Sequence, residues 1–254
     1  WINYGRCHDD IGWGFETDIL RDLGWDPEAH KQFMIRFMEG RYPGSFSTGE
    51  LYEFNPVTLD ARNSGTFASM CGLEQALKEK HSYKIELAIK RILLLNSIII
   101  SYTGIPLFYS GDEIGQLNDW SYKEIPEEAG DSRWLHRPKM DWEAAEKRND
   151  LATVQGKIFQ GIRRMLEIRK GSEYFRSDLK STPVDLDNKA VFGFHKENKM
   201  MVLANFSEQE QWVDADRFSW FGLPGEMTDL LTGRPVRSYN NQILLGPYEY
   251  LWLV

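Results

Sequence analysis

Cysteine is nearly absent from this 254-residue chain, since Cys7 and Cys71 are too few for a disulfide framework and do not form a CxxC metal pair. Both read as small core residues. An excess of basic charge is missing too: 30 Lys and Arg stand against 38 Asp and Glu, a net of −8, which argues against a nucleic-acid surface. There is no initiator Met, no basic segment leading into an apolar stretch and no lipidation signal. A cytoplasmic setting is therefore expected, with secretion left open because the N-terminal part of the protein is expected to be missing. A GxGxxG loop, a Walker loop, HExxH and a nucleophile elbow are all lacking, which disfavours nucleotide, zinc-protease and serine-hydrolase chemistry. The acids are dispersed with no calcium-loop run, so neither a metal nor a cofactor is expected.

One long uncharged run is present, the 18 residues Ile92 to Tyr109, long enough to suggest a membrane span. Asn96, Ser97, Ser101, Thr103 and the Gly104-Ile105-Pro106 break argue instead for a buried helix running into a buried parallel strand that ends at Tyr109. Hydrophobic residues at 42% and charged residues at 27% fit a globular protein with a sizeable core. Aromatic residues are plentiful, with 9 Trp, 11 Tyr and 14 Phe. Flat apolar rings beside polar donors suit sugar faces, and they also fill cores.

Trp1 to Asp10 reads as a short strand ending in a charged cluster, and Asp26-Pro27 as a helix start whose apolar face carries Phe33, Met34, Phe37 and Met38 before Gly40 stops it. Residues 41–60 are irregular. Helices are expected over about Ser64 to Lys80 and Tyr83 to Tyr102, and another is expected to be capped by Asp150, with Leu151, Val154, Ile158, Ile162 and Met165 on one face and Gly171 at its end. Between them, residues 114–149 are polar and irregular, as functional loops are. From about Leu179 short alternating strands take over, around Val191–His195, Met200–Phe206, Gln242–Leu245 and Tyr248–Val254, with turns at Glu197-Asn198 and Thr232-Gly233. The fold class is α/β followed by antiparallel β structure. Two strand–helix units cannot close a barrel, because a (β/α)₈ barrel needs eight strands.

Four stretches carry candidate chemistry. Cys7-His8-Asp9-Asp10 places an imidazole and two carboxylates just after a strand, as an active-site loop or as a solvated loop with a capping Asp. Ser110-Gly111-Asp112-Glu113 reads as a turn with a structural salt bridge in preference to a site. Asp131-Ser132-Arg133-Trp134-Leu135-His136-Arg137 packs two arginines that suit bidentate recognition of carboxylates or vicinal hydroxyls, or pairing with surface acids. Arg62 stands before Ser64, a possible helix cap.

Taken in order, these stretches resemble the alpha-amylase family of glycoside hydrolases, and within it the amylosucrase branch. Arg6-Cys7-His8-Asp9-Asp10-Ile11-Gly12-Trp13 is similar to the segment ending barrel strand 7, with Cys7 where most relatives carry Asn. Gly104 to Gly115 is similar to strand 8, and Asp131-Ser132-Arg133-Trp134 with His136-Arg137-Pro138 to the loop after it. The resemblance implies residues 1–175 as the C-terminal portion of a (β/α)₈ TIM barrel, with an inserted subdomain at about 14–61, and residues 176–254 as a C-terminal β-sandwich. It implies retaining α-glucosyl transfer from sucrose to an α-glucan or to water, without cofactor. His8 and Asp9 take the part of gripping the glucosyl hydroxyls and stabilising the transition state. Asp10 and Arg62 match positions that hold the fructosyl unit and acceptor, Arg133 matches the arginine at the floor of the glucose pocket, and Phe33 lies where the family places an aromatic near the acceptor path. The family's nucleophile Asp and general-acid Glu follow strands 4 and 5, outside this chain. The missing N-terminal part of the same enzyme is therefore an expected partner, and these residues alone are expected to be inactive. Sucrose hydrolase is the alternative within the class, and a non-catalytic carbohydrate-binding or structural module the alternative from another.

Overall fold

The structure is a computed structural model that describes residues 1–223 and 226–254. In chain order its elements are β1 (Ile2–Asn3), α1 (Thr17–Asp22), α2 (Pro27–Glu39), β2 (Glu50–Tyr52), β3 (Arg62–Ser64), α3 (Phe67–Met70), α4 (Leu73–Lys78) and α5 (Ser82–Ser101). There follow β4 (Ile105–Pro106), α6 (Trp142–Glu146), α7 (Val154–Gly171), β5 (Ser181–Val184), β6 (Val191–Lys196), β7 (Met200–Asn205) and β8 (Gln211–Asp214). The last are α8 (Asp216–Ser219), β9 (Met227–Asp229), β10 (Arg234–Val236), β11 (Gln242–Leu245) and β12 (Tyr250–Leu253). They form two compact units, one of residues 6–89 and 108–155, the other of 1–5, 90–107 and 156–254.

In the first unit α2 starts as expected: the Asp26 carboxylate accepts from Ala29 N at 2.7 Å, Pro27 fills the first turn, and Gly40 closes the helix at φ 88°. The hairpin of β2 and β3 pairs Glu50 with Ser64 and Tyr52 with Arg62. The single helix expected over residues 64–80 is broken. Ser64 ends β3, Thr66 is the cap, accepting from Ser69 N, and Gly72 at φ 92° separates α3 from α4. A left-handed residue cannot continue an α-helix, and glycine adopts that conformation without a side-chain clash. Asp150 likewise caps only a turn, four residues ahead of α7, and Leu151 is exposed.

In the second unit β1 and β4 pair in parallel, Ile2 against Ile105. The buried strand expected over 105–109 is only two residues long, and Ile105 is 67% exposed. A parallel strand is buried when both faces of its sheet are covered, and β1 is the one strand hydrogen-bonded to β4 among the described residues. Six strands make an antiparallel sheet in the order β10-β9-β12-β7-β6-β5, and β8 pairs with β11. Strands β5, β8, β9 and β10 were not anticipated by the alternation pattern. The turn at Glu197-Asn198 takes φ 44° and 61°, as a tight hairpin requires.

The pleat gives β7 two buried faces. Met201 and Leu203 point into a core with Val213, Phe218, Ile243, Leu245, Leu251 and Leu253. Val202 lies on the other face, in register with Phe194 and Trp252, and that face meets α5: Trp252 Nε1 donates to Ser97 Oγ at 2.9 Å, and Phe194 packs edge-on to Tyr102. Ile158, Ile162 and Met165 of α7 are buried as their spacing predicts. Gly161 lies where α7 meets α5, and a Cβ there, 2.6 Å from Leu93 Cδ2, would require the Leu93 side chain to shift.

The buried C-terminus of α5 leaves carbonyls that need donors. Arg169 donates to Ile100 O and Gly104 O, and Lys196, fully buried, donates to Ser101 O at 3.2 Å. Both cations sit over the Phe175 ring, at 5.7 and 5.1 Å from its centroid, and both oppose the negative end of the helix dipole. Burial, and then the Arg169 charge, push the Lys196 ammonium down to about 8. No helix among the described residues is long and apolar enough to cross a membrane. Phe175→Ala is expected to destabilise this unit by about 3–5 kcal/mol, from the lost ring volume. Phe175→Leu is expected to recover part of that loss while leaving the cations without a π face. Urea denaturation of the two variants checks this order, and full recovery of stability in Phe175→Leu would remove the cation–π contribution.

Candidate active site

The site is built from the segment Arg6–Asp10, the hairpin β2–β3 and the loop 131–137, all within the first unit. Asn63, fully buried, joins the first two. Its backbone exchanges both hydrogen bonds with Ile11, at 2.8 and 3.1 Å, while its side chain accepts from Trp13 Nε1 at 2.7 Å and donates to Ile35 O at 3.1 Å. This antiparallel bridge sets Arg62, the next residue along, beside Asp10.

Arg6 makes the second tie. It is 5% exposed, and its Nε donates to Gly65 O at 3.0 Å while Nη2 donates to Asp9 O at 2.8 Å. Burial lowers its pKa, and Cys7 and Asp112, with Asp10 and Asp9, oppose that shift. Gly65 is held at its other end as well, its N–H donating to Nδ1 of the buried His136 at 3.3 Å. Arg137 Nε donates to His8 O at 2.8 Å. The backbone of His8-Asp9 and the end of β3 are thus fixed by three basic side chains from two stretches of sequence, Arg6 and His136-Arg137.

The two adjacent carboxylates differ. The Asp10 side chain is 6% exposed, and burial together with the bond it shares with Asp9 raises its pKa. The Asp9 side chain is 53% exposed, and bonds from Asp10 and Arg133 hold its pKa low. Each acid faces its own guanidinium: Arg133 Nη1 is 3.5 Å from Asp9 Oδ1, and Arg62 Nη1 is 3.5 Å from Asp10 Oδ2. Arg133 is fixed from behind by Asp131, through Nε at 2.9 and 3.1 Å and Nη2 at 2.8 Å, and from one face by the Tyr52 ring at 4.6 Å. Arg62 is shared with Glu53 Oε2 at 3.3 Å.

Of the residues singled out from the sequence, Asp9, Asp10, Arg62 and Arg133 come together, and the exposed His8 side chain belongs to the same segment. Phe33 lies apart, in a run of rings from Trp13 through Phe15 and His30 to Phe33 and Tyr42, with neighbouring centroids 4.7–6.1 Å apart. Cys71 is buried and Cys7 half-buried. Ser110–Glu113 forms the expected turn, Gly111 N donating to Glu113 Oε2 at 2.8 Å, but neither acid makes an ion pair among the described residues. Tyr52, Glu53 and His136 were missed as contributors. Tyr52 and Glu53 have no motif of their own, and only the register of β2 against β3 delivers them to the arginines. No three His, Cys, Asp or Glu side chains among the described residues converge as a metal set.

Asp112 and His136 lie buried in this unit with opposite pH behaviour. Burial pushes Asp112 up to about 8 from an ordinary 3.8, against the pull of Arg6. Burial pushes His136 down to about 4 from 6.5, helped by Arg6. The raised carboxyl contributes stability that is complete below pH 3.8 and lost as the pH climbs to 8. The depressed imidazole contributes stability that is present above pH 6.5 and lost towards pH 4. The two slopes oppose each other between about pH 4 and 6.5, so the net loss is expected between 6.5 and 8. At about 1.4 kcal/mol per pH unit it amounts to about 2 kcal/mol. Thermal melts at pH 6.5 and 8 check this, with Asp112→Asn expected to flatten the decline.

No protein-family model matches the chain. Over 264 aligned residues it is 26% identical to the glucosylglycerate phosphorylase of Escherichia coli (strain K12), an alignment that takes in 100% of this chain and 41% of that relative. The chain therefore spans well under half the length of the curated relative it matches. Crystal structures of AmyP in complex with maltose and of an AmyP variant in complex with maltotriose each align with a TM-score of 0.51 at 21% identity, over 65% of this chain and 34% of theirs. Likeness at that level shows the fold alone.

Proposed function

We propose that these residues supply the sugar-gripping portion of a retaining α-glucosyl-transferring enzyme of amylosucrase type, converting sucrose to α-1,4-glucan and fructose. The observation that carries this reading is the pairing of two consecutive, unequal carboxylates with two separate guanidiniums. Asp9, exposed and kept charged, suits stabilisation of an oxocarbenium-like transition state, with the exposed His8 as a hydroxyl donor. Asp10 and Arg62 form a donor–acceptor pair suited to the fructosyl unit and then to the acceptor. Arg133, fixed by Asp131 and Tyr52, closes the glucosyl end without taking a proton.

The carboxylate that receives the glucosyl group and the acid that protonates the departing fructosyl oxygen belong to barrel strands 4 and 5, outside residues 1–254. In this reading the incomplete barrel is completed by the N-terminal part of the same enzyme, and the 254-residue chain alone does not turn over sucrose. Phosphate as the glucosyl acceptor is a second reading, favoured by the likeness to a phosphorylase.

Sucrose given to the whole enzyme, with and without phosphate, tests both. A growing α-glucan supports the first reading, glucose 1-phosphate the second, and equal glucose and fructose a hydrolase; failure to release fructose at all sinks the sucrose assignment. Asp9→Asn is expected to lower kcat by about 10²–10³-fold, the scale of a lost transition-state contact. Arg62→Ala is expected to act mainly on KM. Fructose release by the isolated chain would overturn its proposed inactivity.

A further inference from the structure

Among the described residues, the buried His136 Nε2 has no hydrogen-bond partner. The ring is not free to turn and find one. Ser132 Oγ donates to Leu51 O at 2.9 Å, and Leu135 O accepts from Asp119 N at 2.9 Å, so the short 3₁₀ turn over Ser132–His136 is stitched to β2 and to the loop before it.

The position of the ring proton follows from its other nitrogen. Gly65 N donates to Nδ1 at 3.3 Å, which commits the lone pair there. A neutral imidazole carries one N–H, so the proton stands on Nε2. In the imidazolium both nitrogens are donors, and that form would set two N–H groups against each other at Gly65. Burial and the Arg6 charge also favour the neutral ring, pushing its pKa down to about 4. Nε2 is therefore a donor enclosed in protein with nothing to receive its proton, and such a group is costly to leave unpaired.

The acceptor at hand is the carbonyl of His8. Arg137, the next residue along, donates Nε to that oxygen at 2.8 Å and so brings this turn against the His8-Asp9 segment. A carbonyl oxygen has two lone pairs, and Arg137 takes one. The His8 backbone acts on the imidazole as an acceptor does, favouring its proton, while Arg137 opposes that proton and Asp9 favours it. Hydrogen bonds in unliganded sites are often long and tighten when substrate arrives.

Asp9 stands between two peptide groups. The carbonyl that follows its Cα is gripped by Arg6 Nη2 at 2.8 Å, and the carbonyl that precedes it by Arg137. We propose that His136 is a positioning residue for Asp9, its Nε2–H donating to the second lone pair of His8 O and so fixing the direction in which the Asp9 carboxylate points. At 1% exposure the imidazole does not reach a substrate and acts through Asp9 alone. A reacting group displaced by about 1 Å can lose about 10²-fold in rate, so a contact behind the carboxylate bears on turnover. The kinetic part of this inference rests on the function proposed above; the hydrogen bond itself does not.

The hydrogen bond is tested on the 254-residue chain by NMR. The imidazole ¹⁵N resonances are expected to show the Nε2-protonated tautomer at pH 7. The His8 carbonyl ¹³C resonance is expected to move in His136→Leu and to hold its place in His136→Gln, whose amide can present an N–H near the same point. A ring protonated on Nδ1, or a His8 carbonyl indifferent to His136→Leu, overturns the proposal. The tautomer is read on the wild-type chain, so that arm survives a variant that does not fold. In the whole enzyme with sucrose, His136→Leu is expected to lower kcat about tenfold to a hundredfold with KM unchanged, and His136→Gln to recover most of the loss. On an Asp9→Asn background His136→Leu is expected to cost nothing further, because its effect passes through that carboxylate. A loss that adds in full to that of Asp9→Asn, or a Gln variant as slow as the Leu variant, marks a merely structural part and overturns the positioning role. A wild-type enzyme that releases no fructose sinks the function proposed above, and the NMR outcomes still decide the His136 contact.

Discussion

A buried guanidinium that cannot shed its charge has to find acceptors, and Arg6 finds them in the carbonyls of Asp9 and Gly65, the latter 59 residues along the chain. Much of the site's geometry depends on this one requirement. With its backbone oxygen spent on Arg6, the Asp9 segment is pinned from below and its carboxylate is left to the solvent side. With Gly65 fixed at both N–H and C=O, the end of β3 is immobilised next to Arg62. Asp112, itself buried, supplies part of the balancing field and has its own protonation disturbed in return.

Above that layer, charge is distributed unevenly. Two neighbouring acids in one sequence would ordinarily titrate alike, yet burial raises the proton affinity of Asp10, and the bond between the two raises it further while lowering that of Asp9. The arginines are graded in the same sense. Arg133 is immobilised by a bidentate acid and an aromatic face, whereas Arg62 is divided between Asp10 and Glu53 and is the freer of the two to exchange partners. A rigid cation and an exchangeable one, set beside a charged and a reluctant acid, make a site that is polarised from end to end.

Elements governed by local chemistry could be read from the residues. The start and stop of α2 follow from Asp26, Pro27 and Gly40, and the inward face of α7 follows from the spacing of Ile158, Ile162 and Met165. The helix break at Gly72 was missed because a left-handed glycine inside an apolar stretch leaves the periodicity intact. Ile105 and Leu107 look like a buried strand because their run is apolar, yet exposure depends on neighbouring strands, and composition carries no information about those. At the site, the charged stretches marked Asp9, Asp10, Arg133 and Arg62, and the resemblance gave each its expected part. His136 stood inside a marked stretch without a part of its own, and nothing local marked Tyr52 or Glu53; their parts arise from a residue pairing 71 positions apart and from a strand register.

The sheet order carries a consequence for how the protein is made. Strand β12 lies between β7 and β9, so the sheet is completed from its interior, and β9 and β10 join the rest of it through this one late strand. A nascent chain that has not yet extruded Tyr250–Leu253 from the ribosome presents β7 with an unpaired edge and α5 without the Trp252 ring that fills its face. Such an edge is an open template for pairing with other chains. Synthesis of this unit therefore passes through a sticky, half-assembled stage that lasts until β12 has emerged from the ribosome.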